Sequence, residues 1–340
     1  MVVTIKHVAE AAGVSAKTVS RVINGEAHVS AAKREAVMRV VRELDYRPNA
    51  FARSLSSSRS YLLGLLIDDP ASGYAADVQL GAINACREKS YHLLVERVDR
   101  GEPGWRRTLR ASLDQLRLDG ALLPPPLCDD AEFLDLLDEL GLPYVRIAPG
   151  GDDARSGFVR MDDAAAAAEM TRHLIALGHR RIGFIAGKPT HSAAAKRLEG
   201  FTAEMAAHGL SVDPELVRRG DVSVRSGMLT GEDILARADR PSAIFASNDD
   251  MALGVLMIAH RHHLEIPAGL AIAGFDDAPT SRAAWPPITT IVQPNGAMAA
   301  EAVDILTDPR YRDAPRDAAW RRMLDYRLEV RGSTDGDLVE

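Results

Sequence analysis

The sequence predicts a small all-α head followed by an α/β body built as two tandem parallel-sheet halves. Two short amphipathic helical segments flank a Gly-Val-Ser turn at residues 13–15, the arrangement of a helix-turn-helix. From Tyr61 onward, short apolar runs (LLGLLID, YHLLVER, GALLPPP, PYVRIAP) alternate with segments of helical period, the pattern left by βαβ units. A second series follows, with RRIGFIAG, AIFASND and LAIAGFDD as its strands.

Each element has a local cause. Thr4 caps a first helix over residues 4–12, whose Ile5, Val8, Ala9 and Ala12 share one face, and Gly13 stops it. Ser15 caps a second helix from Ala16 to about Ile23, which Asn24-Gly25 terminates. A third begins after Ser30 and turns Ala36, Val37, Val40, Val41 and Leu44 inward. Arg47-Pro48-Asn49 closes the head, and the serine-rich stretch to Ser60 carries too little apolar surface for a helix stable on its own. In the body, FVRMDDAAAAAEMTRHLIALG starts a long helix with Asp162 and Asp163 at its positive end. Two α/β halves with a crevice between them put a ligand at the carboxyl ends of their strands.

Composition narrows the function classes. A chain of 340 residues exceeds one average domain, and 46% hydrophobic with 26% charged residues is ordinary for a globular protein. The start lacks a basic-then-apolar leader and no eighteen apolar residues run together, so a cytoplasmic protein with no membrane partner is expected. Cys86 and Cys128 form no CxxC or paired spacing, which argues against a disulfide frame or zinc module. Among the first sixty residues ten Lys and Arg face five acids, leaving +5 there and −12 on the rest of a chain whose total is −7. A basic module on an acidic body reads as a polyanion-binding head.

Enzyme motifs fail on spacing. In GFIAGK (Gly183 to Lys188) three residues separate the glycines and Pro189 follows the lysine, whereas a phosphate loop needs four and a Ser or Thr. GxSxG and HExxH are absent. His260, His262 and His263 lack an acid or cysteine at ligand spacing. No catalytic set, cofactor or metal is expected.

TIKHVAEAAGVSAKTVSRVING followed by HVSAAKREAVMRVVRELDYRPNAFARSL resembles the DNA-binding head and linker of the LacI/GalR family of bacterial transcription regulators. The likeness continues through RLEGF, AIFASNDDMALGV, GFDD and PPITTIVQP to about residue 332. It implies a hinge helix after the head and a periplasmic-binding-protein-like body. A recognition helix offers polar side chains to base edges, and Ala16, Lys17 and Arg21 stand where they are needed, with Val19 and Val22 inward. Lys17 and Arg21 can donate to guanine, while Ala16 can offer a thymine only a methyl contact. Thr4, Ser15, Thr18, Ser20, Asn24, His28 and Ser30 are candidates for phosphate contact. By resemblance Leu55 wedges into the minor groove, flanked by Asn49, Ala52 and Arg53. One departure is His7, where many members have an acid, and it receives no role.

Sugars are held by charged and amide groups that each serve two hydroxyls, with an aromatic face for the ring. Arg197, Asn248, Asp276 and Gln293 match the family's effector-contacting positions, and Asp69 and Tyr74, just after the first strand, are expected to line the other wall. Ala148 stands where many members carry an acid, so contacts of the first half cannot be copied from relatives.

The expected division is 1–46 DNA-binding head, 47–60 hinge, and 61–333 ligand-binding and dimerisation domain, then a tail at 334–340. Within the body, one subdomain takes about 61–160 plus 290–322 and the other about 161–289 plus 323–333. The expected partners are near-palindromic operator DNA, a small sugar effector and a second copy of the chain, with Leu253, Met257 and Trp285 as apolar interface candidates. The rival from another class is a cytoplasmic sugar-binding or sugar-transforming α/β protein whose head is only an interaction module.

Overall fold

The computed structural model describes residues 3–23, 29–46, 59–70, 73–151, 153–189 and 191–338. The chain divides into two compact units, Met1–Tyr61 and Leu62–Glu340.

The first unit holds α1 (Ile5–Ala11), α2 (Ala16–Ile23) and α3 (Ala31–Glu43). Val8, Val19, Val22, Val37 and Val40, one or two apolar positions per helical face, meet with Tyr46 in a single small core. Thr18 donates its backbone N–H to Ser15 Oγ at 3.1 Å, so Ser15 caps α2 as its hydroxyl allows. At the start of α1 the box is closed unusually: Thr4 N–H donates to His7 Nδ1 at 3.2 Å. His7, left without a role by the sequence, thus takes the place an acidic side chain fills in a capping box.

The second unit contains two lobes. Its strands are β1 (Leu62–Ile67), β2 (His92–Arg97), β3 (Gly120–Leu123), β4 (Tyr144–Ile147), β5 (Phe158–Arg160), β6 (Ile182–Ala186), β7 (Val217–Arg219), β8 (Ala243–Ala246), β9 (Ala271–Ala273), β10 (Thr290–Val292), β11 (Arg321–Met323) and β12 (Arg327–Glu329). Its helices are α4 (Gly73–Glu88), α5 (Trp105–Leu116), α6 (Ala131–Leu140), α7 (Asp163–Ala176), α8 (Ser192–Ala207), α9 (Val224–Leu235), α10 (Asp249–Arg261), α11 (Pro279–Ala283) and α12 (Asn295–Thr307). The first lobe carries a six-stranded parallel sheet of order β11-β5-β4-β3-β1-β2, and the second a four-stranded parallel sheet of order β7-β6-β8-β9. Strands β10 and β12 pair antiparallel with each other. The apolar runs are central strands buried on both faces, as in β1, β3, β6 and β8.

The chain passes between the lobes three times: from β5 into α7, from β10 into α12, and from β11 into β12. Helix packing is close where glycines face a neighbouring backbone. A Cβ on Gly227 of α9 would lie 2.2 Å from the Met251 carbonyl oxygen, and one on Gly254 of α10 would lie 2.3 Å from that of Val224. These helices touch through their main chains. Both cysteines are buried and unpaired. Among the described residues no helix is long and apolar enough to cross a membrane, and no group of three or more His, Cys, Asp or Glu is placed to hold a metal.

Candidate nucleic-acid face and ligand cleft

In the head, Val19 and Val22 are buried, as the inward face of α2 requires, and Lys17 is exposed. Arg21, Thr18 and Ser20 are half-buried, and Ser15 Oγ and Thr18 Oγ1 lie 3.0 Å apart. Ala16 is half-buried as well and packs against the head core, so that its methyl serves the fold at least in part. Thr4 and Ser30 are exposed, each at a helix start. Asn24, His28, Asn49, Ala52, Arg53 and Leu55 lie outside the described residues.

In the body, a cavity of about 550 Å³ opens between the lobes at the carboxyl ends of the strands. Its wall includes all six residues expected from the sequence: Asp69, Tyr74, Arg197, Asn248, Asp276 and Gln293. Asp69 and Tyr74 follow β1, Asn248 follows β8, Asp276 follows β9 and Gln293 follows β10. Arg197 reaches in from α8.

Arg197 organises the floor. Its Nε donates to Asp163 at 2.9 Å, its Nη1 donates to the Ser247 carbonyl at 2.6 Å, and the same Nη1 lies 3.4 Å from Asp276. The guanidinium stacks 3.7 Å over the Phe275 ring, a cation–π contact in a desolvated setting. Gln293 Nε2 donates to Asp276 Oδ1 at 2.5 Å. Asp276 holds this position with φ +116°, a strained backbone for a residue with a Cβ. Burial raises its carboxyl to about 6, although Arg197 and Gln293 pull the other way. Burial likewise raises Asp163 against the opposing pull of Arg197.

Asn248 also bonds locally. Its Oδ1 accepts the Met251 N–H at 3.0 Å, capping α10, and its Nδ2 donates to the Val222 carbonyl at 3.0 Å. Val222 itself lines the cleft at φ +67°, which is strained for a β-branched residue. Asp249, fully buried, accepts Thr290 Oγ1 and the Ala278 N–H, each at 2.7 Å, and burial drives its carboxyl well up. It binds α10 to the loop that presents Asp276.

Several cleft residues carried no usable signal in the sequence. Lys188 stood out only as the end of a failed phosphate loop, His191 and Asp221 follow short strands or loops without a motif, and Ser247 and Asp250 lie in the AIFASNDDMALGV run, from which only Asn248 was singled out as a ligand contact. Tyr74 has its hydroxyl buried without a partner among the described residues, and burial drives that phenol well above its ordinary value. Of the apolar interface candidates, Met257 and Trp285 are exposed, at 47% and 65%, whereas Leu253 packs against the core of the second lobe.

A three-helix head of helix-turn-helix form and a two-lobed body with a polar cleft define the class of DNA-binding regulators that carry a periplasmic-binding-protein-like sensor. Residues 171–334 match the model of the periplasmic binding protein-like domain, and residues 4–49 match that of the bacterial regulatory proteins, lacI family. The chain belongs to the LacI family of bacterial regulatory proteins. It is similar to the HTH-type transcriptional regulator CelR of Thermobifida fusca, 34% identical over 312 residues that cover 90% of this chain and 91% of that protein. Among solved structures it is similar to a complex of transcriptional regulator CelR with cellobiose, with TM-score 0.74, 32% identity and coverage of 97% and 99% of the two chains. It is also similar to the lac repressor dimer bound to operator and the anti-inducer ONPF, with TM-score 0.77, 28% identity and coverage of 98% and 99%.

Proposed function

We propose that the protein is a cytoplasmic, homodimeric repressor that binds near-palindromic operator DNA through its head and responds to a small sugar in the cleft of its body. The observation that carries the sensor half is the cavity itself. Charged and amide groups from both lobes converge on a space of about 550 Å³, the size and chemistry of a small-molecule site. The similar CelR structure holds cellobiose, which supports a sugar.

In this proposal residues 1–46 read DNA, 47–60 form the hinge and 61–333 sense ligand and dimerise. Lys17 and Arg21 face bases. Thr4, Ser15, Thr18, Ser20 and Ser30 serve phosphates, and Leu55 is the minor-groove wedge. Arg197, Asn248, Asp276, Gln293, Asp69 and Tyr74 contact the effector. Ligand that touches both lobes favours one lobe orientation, and a coupling of about 1 to 3 kcal/mol between sites suffices to switch DNA affinity. Induction, the loss of DNA binding on ligand binding, is the proposed sign of the response.

The test is selection from random duplex DNA, followed by gel shifts on the selected site with a panel of mono- and disaccharides. One preferred near-palindrome, released by one sugar, is the expected result. Equal affinity for every duplex would overturn the assignment.

A further inference from the structure

Asp276 enters the cleft from a loop that runs from the end of β9 through α11 to the start of β10. The loop is strained at its first turn, where Asp276 has φ +116° and its neighbour Asp277 φ +58°, both in the left-handed region. Two such residues in succession keep their conformation only where the surroundings fix them from several sides. Asp276 lines the cavity, whereas Asp277 is not among the residues of its wall. The main chain is fixed by Asp249, which accepts the Ala278 N–H at 2.7 Å, and by the Ile291 carbonyl, which accepts the Asp276 N–H at 2.9 Å.

The side away from the cavity is fixed by a residue 54 positions further on. Arg331 follows β12, and its side chain, 14% exposed, donates three bonds to this one loop. Its Nη2 donates to Asp277 Oδ1 at 2.5 Å, and its Nη1 to Ser281 Oγ at 3.2 Å and to the Ile288 carbonyl at 3.1 Å. These partners stand at the loop's start, its middle and its return, and a planar guanidinium can serve all three at once. Thr289 holds Arg331 in turn: its hydroxyl accepts the Arg331 N–H at 2.8 Å and donates to the Arg331 carbonyl at 2.9 Å. The exposed Arg282 stands 3.8 Å from Asp277 Oδ1 and makes its hydrogen bond to the Asp277 carbonyl instead.

The same loop abuts the first lobe. A Cβ on Gly73, at the start of α4, would lie 3.7 Å from Ala278 Cβ and Pro279 Cδ, and both Gly73 and Ala278 line the cavity. A loop released at Asp277 would therefore shift Asp276 and this junction together.

We propose that Arg331 is a positioning residue of the effector site: from outside the cavity wall it grips Asp277, Ser281 and the Ile288 carbonyl, and so holds the loop that aims Asp276 into the cleft. This rests on the sensor assignment above and adds a determinant of affinity that touches no ligand. Strand β12 pairs with β10, whose end carries Gln293. The grip thus also sets Asp276 against the amide that donates to it.

The experiment is hydrogen–deuterium exchange on the full-length protein, read by mass spectrometry, together with calorimetric titration with D-ribose, D-glucose and cellobiose. The variants are Arg331→Met, which keeps the aliphatic stem, Arg331→Lys, Asp277→Asn, and Arg331→Met combined with Asp277→Asn. In Arg331→Met the amides of residues 274–284 exchange at least about tenfold faster without sugar, while those of β6 and β8 keep the wild-type rate. Affinity for whichever of the three sugars binds wild type falls about tenfold, the loss expected when one hydrogen bond is misplaced. Arg331→Lys recovers part of both. The double variant binds no more weakly than Arg331→Met alone, because the two changes remove halves of one contact. A merely structural role would instead speed exchange across the whole second lobe and leave the affinity of the folded molecules unchanged. Either of those results, or additive losses in the double variant, overturns the positioning role. Should Arg331→Met fail to fold, Arg331→Lys and Asp277→Asn decide by the same readouts. Wild-type protein that binds none of these sugars overturns the sensor assignment and this proposal with it, whereas wild-type binding that Arg331→Met equals overturns this proposal alone.

Discussion

The carboxylate of Asp129, in the first lobe, accepts the hydroxyl of Ser192, the first residue of α8 in the second lobe. The same carboxylate accepts the Gly150 N–H at 2.9 Å, and the fully buried Arg146 lies 3.9 Å from it. A Cβ on Gly150 would fall 2.0 Å from that of Ser192. The lobes therefore meet directly at this point, beside the cleft, through one carboxylate fixed from its own side.

Removing that contact should open the body. Ser192→Ala leaves the Asp129–Gly150 bond intact and deletes only the bond across the lobes, a charge-assisted one worth about 1.5 to 3 kcal/mol. The expected outcome is a larger radius of gyration in small-angle scattering and effector affinity lower by about tenfold or more. An unchanged radius and affinity would mean that the crossings alone hold the lobes together.

Asp276 makes both stability and binding depend on pH. Its folded carboxyl titrates at about 6 against an ordinary 3.8, so between those values the native protein holds a proton the unfolded chain has lost. The sign follows from linkage: its contribution falls as pH rises from about 4 to 6 and then levels, by about 3 kcal/mol at most. Effector binding should move the opposite way, strengthening from pH 5 to 7, if a ligand hydroxyl donates to the ionised form. Urea melts and calorimetric titrations across that range check both, and Asp276→Asn should flatten both curves.

Arg197→Ala should unfold rather than merely desensitise the protein. It would strand Asp163 and Asp276 without the guanidinium that faces them both. Stranding buried carboxylates costs about 3 to 5 kcal/mol, readable as a lower urea midpoint. Arg197→Lys should restore only part of this, since one ammonium cannot reproduce the fork to Asp163 and the Ser247 carbonyl.

Gly254→Ala places a methyl group 2.3 Å from a main-chain carbonyl that cannot step aside. Overpacking of this kind costs about 1 to 3 kcal/mol, outweighing the gain in helix propensity. A thermal melt should show the variant below wild type, with DNA binding retained at low temperature.

On DNA, Arg21→Ala should lower discrimination between operator variants by about 1 to 3 kcal/mol at one base pair. Lys17→Ala, if that side chain meets phosphate, should weaken all duplexes alike and reduce the salt dependence. Anisotropy titrations at several salt concentrations separate the two outcomes.

Much of this was legible because it is local. Caps and stops such as Thr4, Gly13 and Ser15 act within a few residues, and buried strands leave apolar runs whose last residues point to the cleft. The illegible parts are long-range. Nothing near Asp129 announces Ser192, 63 residues away, and nothing near Arg197 singles out Asp163 as its partner. Short strands such as β7 (VRR) and β11 (RRM) carry no apolar pattern, because edge positions need little burial. Asn248 shows a second long-range part: it lines the cleft its match pointed to, and nothing in its neighbourhood announced that its amide also caps α10 and holds Val222, 26 residues away.

The order β11-β5-β4-β3-β1-β2 has a consequence for how the chain is made. The outermost strand beside β5, and the helix α12 that covers the same sheet, are supplied by residues beyond 294. During synthesis the earlier lobe must therefore wait, one border unpaired, while nearly the whole later lobe leaves the ribosome. A nascent polypeptide halted near residue 290 would expose the open side of β5 to any neighbouring strand.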